Sequence, residues 1–110
     1  IAFAHGGGSF AMWLGRADNA WHQRGDVVRG ASHHPPSSYV GRFSVDSVVF
    51  DGKALRLLVD TFGTDGVMMG SDYPYPLGER PAGAVIHRAN LSAPEQAAIL
   101  GGNAVRFLGL

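Results

Sequence analysis

The sequence contains no cysteine, and this absence excludes disulfide bonds and thiolate-bound metal sites. It also has no excess of either charge, since nine Lys and Arg residues balance nine Asp and Glu residues. This balance argues against nucleic acid or an anionic membrane surface as the main partner. No apolar run approaches the length that crosses a bilayer. These absences leave a globular protein, and they fit a cytoplasmic enzyme.

The chain does have the length and apolar content of one modest domain, with 110 residues of which 45% are hydrophobic. We predict strands near residues 1–5, 43–46 and 66–71, and helices near residues 9–24, 52–62, 93–100 and 103–108. Such alternation implies an α/β fold with parallel strands and right-handed crossovers.

Several local signals mark where the helices begin and where loops lie. Ser9 and Asp51 are predicted N-caps, and Ser92 with Glu95 forms a capping-box pattern. Residues 25–41 are rich in Gly, Pro and Ser and are predicted to be a loop. The His33-His34 pair in this loop has no metal-ligand spacing, so a surface position is favoured.

Each predicted strand ends in a residue that can exchange a proton or bind a metal. His5 follows the first strand and precedes Gly6-Gly7-Gly8, Asp46 ends the second strand, and Asp72 ends the third. The carboxyl ends of parallel strands lie on one edge of a sheet, where ligands bind in α/β folds. We therefore expect these three side chains on one face, with His5 as a candidate for proton transfer.

The helix predicted near residues 9–24 carries large side chains at helical spacing. Trp13 and Trp21 are predicted to pack in the core. Arg16 is either a solvated surface residue or a clamp for a carboxylate, because its planar fork matches a carboxylate in two hydrogen bonds.

Taken together, the motifs resemble the amidohydrolase superfamily, and most closely its branch of aminocarboxymuconate-semialdehyde decarboxylases, which belong to tryptophan and 2-nitrobenzoate breakdown. The resemblance covers essentially the whole chain. It rests on His5-Gly6-Gly7-Gly8, on Gly15-Arg16, on the run from Gly70 to Glu79, on Gly102-Asn103-Ala104 and on the run from Phe107 to Leu110.

The resemblance implies a (β/α)8 TIM barrel with a divalent metal, most often zinc, at the carboxyl ends of its strands. It implies that His5 acts as acid and base, that Asp72 ligates the metal, and that Arg16 binds a substrate carboxylate across a homodimer interface. The implied reaction is decarboxylation of an aminocarboxymuconate-semialdehyde-like or aromatic carboxylate. A metal-dependent hydrolase of the same superfamily is an alternative reaction.

Several parts of the family pattern are missing from the sequence. A whole barrel needs about 250 residues, and the H-x-H motif of the family's first strand occurs nowhere in the chain. Only Asp72 has a counterpart among four family metal ligands. We therefore expect the chain to be the last three strand-helix units of a longer protein, inactive alone.

Two other classes of function compete with this interpretation. An α/β-hydrolase also uses an H-G-G-G loop, but no serine here has the flanking glycines of a nucleophile elbow. A truncated relative without catalytic activity is the second alternative. Such a piece would serve in dimerisation or binding, because an open three-stranded sheet exposes two edges.

Overall fold

The computed structural model describes all residues from 1 to 110. Its three strands are β1 (Ala2–Phe3), β2 (Ser44–Asp46) and β3 (Val67–Met68). Its helices are α1 (Phe10–Gln23), α2 (Gly25–Val28), α3 (Gly52–Phe62), α4 (Ala84–Arg88), α5 (Ala93–Ala97) and α6 (Asn103–Leu108). Between α5 and α6 the chain forms a π-helical turn, Ala98–Gly102. None of these helices has the length and apolar character needed to span a membrane.

The strands form one parallel sheet in the order β1-β2-β3, as the alternating pattern predicts. Phe3 is in register with Val45, and Val45 with Val67. The strands are short: β1 ends at Phe3 and β3 at Met68, before the predicted limits at residues 5 and 71. The chain therefore leaves the sheet before His5 and Asp72, which lie in the segments that follow β1 and β3, whereas Asp46 is the last residue of β2.

The hydrophobic core lies between the sheet and α3. Helix α3 buries Leu55, Leu58, Val59 and Phe62 on one face, at the spacing of an amphipathic helix. Asp51 caps it, because its Oδ1 accepts hydrogen bonds from the backbone amides of Lys53 and Ala54, both at 2.9 Å. This face packs against the strands, α4 and the π-helical turn, in a cluster that includes Val45, Val67, Val85, Ile86 and Ile99.

Helix α1 lies against the same core but buries none of its own residues. It makes contact through Phe10, which packs against Phe43 and Phe62 at ring distances of 5.5 and 5.9 Å. The prediction of a core position is wrong for Trp13, which is 53% exposed, while Trp21 is half-buried beneath the guanidinium of Arg29.

Of the predicted signals at helix starts, one is absent from the structure and another is present. Ser9 precedes α1 without a side-chain capping bond, so that predicted cap is wrong. The capping box of Ser92 and Glu95 is confirmed, with both reciprocal bonds present at the start of α5. The predicted loop at residues 25–41 contains the short helix α2 and a 3-10 turn, Pro36–Tyr39.

Helix α4 has no counterpart in the sequence prediction. A buried carboxylate organises it: Glu79 accepts hydrogen bonds from the backbone amides of Gly83 (2.9 Å) and Val85 (2.7 Å). Its charge also faces Arg88 at 3.7 Å. A buried carboxylate needs such donors, so Glu79 ties the loop after β3 to the first turn of α4.

Candidate functional site

The turn after β1 holds His5 in an unusual backbone conformation. His5 has a φ of 55°, and Gly6 and Gly7 follow with φ of 62° and 73°. Only glycine adopts this left-handed region readily, so the two glycines fit the turn and His5 is strained in it. An added Cβ at Gly6 would lie 2.7 Å from Leu58 Cδ1, so a side chain at this position would force the buried Leu58 side chain to move. The turn directs the ring of His5 outward, and the side chain is 62% exposed.

The segment after β3 presents Asp72 in a similar way. Asp72 has a φ of 59°, and only one other non-glycine residue besides it and His5 is left-handed. The loop that follows closes on itself, because the amide of Glu79 donates to the carbonyl of Ser71 at 2.8 Å. Asp72 Oδ1 lies 3.4 Å from His5 Nε2, and the Asp72 side chain is only 25% exposed. Strained residues of this kind cluster at functional sites.

A cleft of about 430 Å³ opens beside this pair. Besides His5 and Asp72, it is lined by Tyr75, Pro76 and Leu77 from the loop after β3. The cleft thus combines two proton-exchanging or metal-binding groups with apolar and aromatic walls, which is the usual composition of a small-molecule site.

The third predicted member of the site, Asp46, does not bond the side chains of His5 or Asp72 but binds two backbone amides. Its Oδ1 accepts hydrogen bonds from the amides of Gly6 and Val48, both at 3.0 Å. Its neighbour Ser47 is fully buried, and its hydroxyl accepts a hydrogen bond from the amide of Gly70 at 3.2 Å. Ser47 could not be singled out from the sequence, since a serine after a strand has no distinguishing signal.

Arg16 is an exposed residue of α1 and takes no part in these bonds. Its guanidinium sits over the ring of Trp13, 5.6 Å from the ring centre, and forms no ion pair. The structure therefore brings His5, Asp46 and Asp72 together, and it leaves the guanidinium of Arg16 free of any bond to them.

The residues present do not by themselves fit a catalytic metal. His5 Nε2 and Asp72 Oδ1 are two possible donors, and no group of three or more His, Cys, Asp or Glu side chains could hold a metal ion. A catalytic zinc takes three protein ligands and keeps one open position. At most, these residues contribute part of a metal site.

The sequence profile of the Amidohydrolase family matches residues 1–110, the whole chain. The chain belongs to the amidohydrolase family. Among amidohydrolase relatives, it is 42% identical over its full length to 2-amino-3-carboxymuconate-6-semialdehyde decarboxylase of Dictyostelium discoideum. It is 38% identical to the protein of the same name from Caenorhabditis elegans. It covers 31% and 28% of these two relatives, so the chain spans about a third of their length.

Solved structures agree with this family assignment. The amidohydrolase chain matches 5-carboxyvanillate decarboxylase from Sphingomonas paucimobilis with a TM-score of 0.85 and 30% identity, over all of this chain and 33% of that one. It shares its fold, at a TM-score of 0.83 and 20% identity, with a dihydroxybenzoic acid decarboxylase from a Polaromonas species, over 33% of that chain. The Polaromonas structure holds manganese and the inhibitor 2-nitroresorcinol.

Proposed function

We propose that this chain is part of a metal-dependent decarboxylase and supplies its proton-transfer histidine, His5. The proposed substrate is a 2-amino-3-carboxymuconate-6-semialdehyde-like or aromatic carboxylate, because the relatives carry such substrates in their names. One observation carries the proposal: His5 Nε2 and Asp72 Oδ1 lie 3.4 Å apart, on two strained residues, at the mouth of one cleft.

The exposed ring of His5 suits it for a proton transfer at carbon. In a decarboxylation, the bond from the substrate carbon to its carboxylate breaks, carbon dioxide leaves, and the electron pair stays on carbon. That carbon must then accept a proton. Histidine exchanges protons near neutral pH, and His5 opens directly onto the cleft. The adjacent Asp72 carboxylate orients the ring through Nε2.

We propose that Asp72 also serves as one ligand of a divalent metal, zinc by family resemblance. The other ligands would come from outside these 110 residues, where the remaining strands of a (β/α)8 barrel of about 250 residues would stand. Two donors are too few to retain a metal, so we expect the isolated chain to be inactive. Arg16, with its free guanidinium, is proposed to bind a substrate carboxylate, across the interface of a homodimer.

The experiment that tests the function is a chimera in which this chain replaces the 31% of the Dictyostelium discoideum decarboxylase that it matches. We expect the chimera to release carbon dioxide from the substrate of that enzyme and the isolated chain to release none. The unaltered enzyme is the positive control. A folded chimera without decarboxylase activity would contradict the proposal and favour a noncatalytic relative. Activity of the isolated chain would contradict its proposed incompleteness.

Paired variants of the chimera assign the residues. His5→Asn is expected to lower kcat by roughly 10² to 10⁴-fold, as loss of an acid-base group does, whereas the exposed His33→Asn leaves it unchanged. Asp72→Asn is expected to lower the amount of metal bound per chimera molecule, as measured by elemental analysis. Asp65→Asn, at the opposite end of β3, is its control.

For the arginine, Arg16→Lys is expected to raise KM about tenfold, because an ammonium cannot donate the paired bonds of a guanidinium. Its matched control is Arg42→Lys, since Arg42 also lies over an aromatic ring, 5.8 Å from the centre of Tyr39. Equal KM values for the two variants would remove Arg16 from the proposed site.

A further inference from the structure

We propose that Asp46 and Ser47, at the end of the central strand β2, are positioning residues that set the distance between His5 and Asp72. The inference rests on the proposed function, since it assigns these two residues a role in the same site. Neither of them lines the cleft. Each instead holds the backbone of one neighbouring segment: Asp46 binds the turn after β1, and Ser47 binds the segment after β3.

Asp46 acts on His5 through the next peptide group. The amide of Gly6 donates to Asp46 Oδ1 at 3.0 Å, and this amide belongs to the peptide group that follows His5. The bond therefore fixes the backbone on the carboxyl side of a residue whose φ of 55° is strained. A strained residue keeps its conformation only where surrounding contacts determine it, and Asp46 provides such a contact.

The same carboxylate also accepts a hydrogen bond from the segment that directly follows its own strand. Asp46 Oδ1 accepts the amide of Val48 at 3.0 Å, so the group that holds Gly6 is itself held in place. The space around it depends on a glycine of the third segment: an added Cβ at Gly70 would lie 2.9 Å from Asp46 Cβ. Asp46 thus lies tightly between Gly6 and Gly70.

Ser47 acts on the Asp72 side. Its side chain is fully buried, and its hydroxyl accepts the amide of Gly70 at 3.2 Å. Gly70 lies two residues before Asp72, which is itself left-handed at a φ of 59°. The last residue of β2 and the residue that follows it therefore hold the two segments that carry the 3.4 Å pair. The central strand acts as the spacer between the proposed acid-base group and the proposed metal ligand.

The test compares Asp46→Ala with Asp46→Asn in the chimera described above. An asparagine keeps an oxygen that can accept both amides, whereas alanine removes it. Asp51 offers a matched control, because its Oδ1 also accepts two backbone amides, at the start of α3 and outside the site. The readouts are kcat, KM and the hydrogen-exchange rate of the Gly6 amide, resolved by mass spectrometry with fragmentation.

We expect Asp46→Ala to lower kcat by about 10²-fold, as a displacement of about 1 Å does, while KM changes less than about twofold. Exchange at the Gly6 amide should rise at least about tenfold, since its acceptor is gone. Asp46→Asn should restore both values to within about threefold of the parent. Asp51→Ala should destabilise the chain without altering kcat or Gly6 exchange.

Two results would overturn the inference. If Asp46→Asn lost as much kcat as Asp46→Ala, the charge itself would be required, and Asp46 would be acting on substrate or metal directly. If Asp46→Ala left Gly6 exchange unchanged, the hydrogen bond would not hold the turn. A chimera that is inactive in every form would refute the proposed function, and Gly6 exchange would still decide whether Asp46 holds the His5 turn.

The role of Ser47 is tested by Ser47→Ala beside Ser44→Ala, a serine at the start of β2 that bonds the neighbouring segment through its backbone amide and not through its side chain. We expect only Ser47→Ala to speed exchange of the Gly70 amide and to lower kcat. Equal behaviour of the two variants would overturn this part of the inference.

Discussion

Helices α1 and α3 follow successive strands of one sheet, yet they are held in different ways. The longer helix, α1, has 14 residues and buries none of them, whereas α3 has 11 residues and buries four. Helix α3 begins at an aspartate whose side chain accepts two capping hydrogen bonds, whereas the side chain of Ser9, before α1, accepts none. Both sequences have helical periodicity, so the difference lies in what packs against each helix.

Helical periodicity identifies the apolar face of a helix without identifying the element that covers it. Helix α3 packs one face against the sheet and α4, so this apolar face is covered within the chain. Helix α1 keeps Met12 and Trp13 exposed, and it carries Arg16, which is proposed to reach a partner subunit. We therefore expect α3 to determine stability and α1 to contribute mainly to proposed contacts outside the chain.

The largest expected difference is in side-chain truncation. Leu55→Ala, at a fully buried position of α3, should lower the free energy of unfolding by about 2 to 5 kcal/mol, because it leaves a cavity. Trp13→Ala, on α1, should lower it by about 1 kcal/mol or less despite the larger side chain. Urea denaturation followed by circular dichroism measures both. Similar losses would mean that α1 supports the fold as much as α3 does.

Next in size is the effect of the helix caps. Asp51→Ala removes two hydrogen bonds at the start of α3 and should cost about 1 kcal/mol, or about 4 to 8 °C in Tm. Ser9→Ala should leave Tm unchanged, because the Ser9 side chain caps nothing. Differential scanning calorimetry of the two variants tests this. A loss of Tm in Ser9→Ala would show a cap that forms in solution.

Replacing a glycine by alanine should change the stability of the chain in opposite directions in the two helices. An added Cβ at Gly15, in α1, meets nothing within 4 Å, so Gly15→Ala should stabilise the chain by about 0.5 to 1 kcal/mol. An added Cβ at Gly52, in α3, would lie 3.1 Å from the carbonyl oxygen of Arg88. Gly52→Ala should therefore gain nothing or destabilise. Stabilisation of both by equal amounts would mean that α3 is packed as loosely as α1.

The smallest expected effect is a change in how folding stability depends on pH in acid. Hydrogen bonds from the Ser92 backbone and hydroxyl, and then from Arg56 of α3, lower the pKa of Glu95 to about 2. A carboxylate with a lowered pKa stabilises the folded state above its ordinary pKa of 4.5, and this contribution is lost as pH falls towards 2. Glu95→Gln should therefore flatten the fall in stability between these pH values.

The matched variant on α1 is Asp18→Asn. Hydrogen bonds from Ser37 lower the pKa of Asp18, which ties α1 to the 3-10 turn. The measurement is the urea midpoint of unfolding from pH 5 to pH 2.5. We expect Asp18→Asn to flatten the fall of this midpoint less than Glu95→Gln does. A stronger one would show that α1 depends on its polar contacts more than α3 does.

Some features could be predicted from the sequence because they depend on neighbouring residues alone. The capping residues Asp51 and Ser92 and the helix from 52 to 62 follow from local patterns, and α3 spans those residues. The approach of His5 to Asp72 could also be anticipated, since parallel strands bring their carboxyl ends to one edge.

Other features depend on contacts between distant residues. Helix α4 has five residues and forms around the buried carboxylate of Glu79. The spacing of apolar residues does not predict this helix. The exposure of Trp13 depends on what covers α1, and the anchoring by Ser47 depends on a partner 23 residues away. Local sequence patterns predict helices and turns, whereas features set by contacts between distant residues can be seen only in the folded structure.

The loop after β3 has a practical consequence for protein engineering. Its two ends are joined by the hydrogen bond from Glu79 to Ser71, and Glu79 is anchored separately in α4. Residues 73–77 therefore form a cassette whose ends stay in place when its interior is exchanged, provided that Gly78 is kept, because an added Cβ there would lie 2.7 Å from the carbonyl oxygen of Ser71. Tyr75 and Leu77 lie within it and face the cleft. Libraries confined to this cassette can vary the shape of the cleft while the backbone anchors of His5 remain untouched.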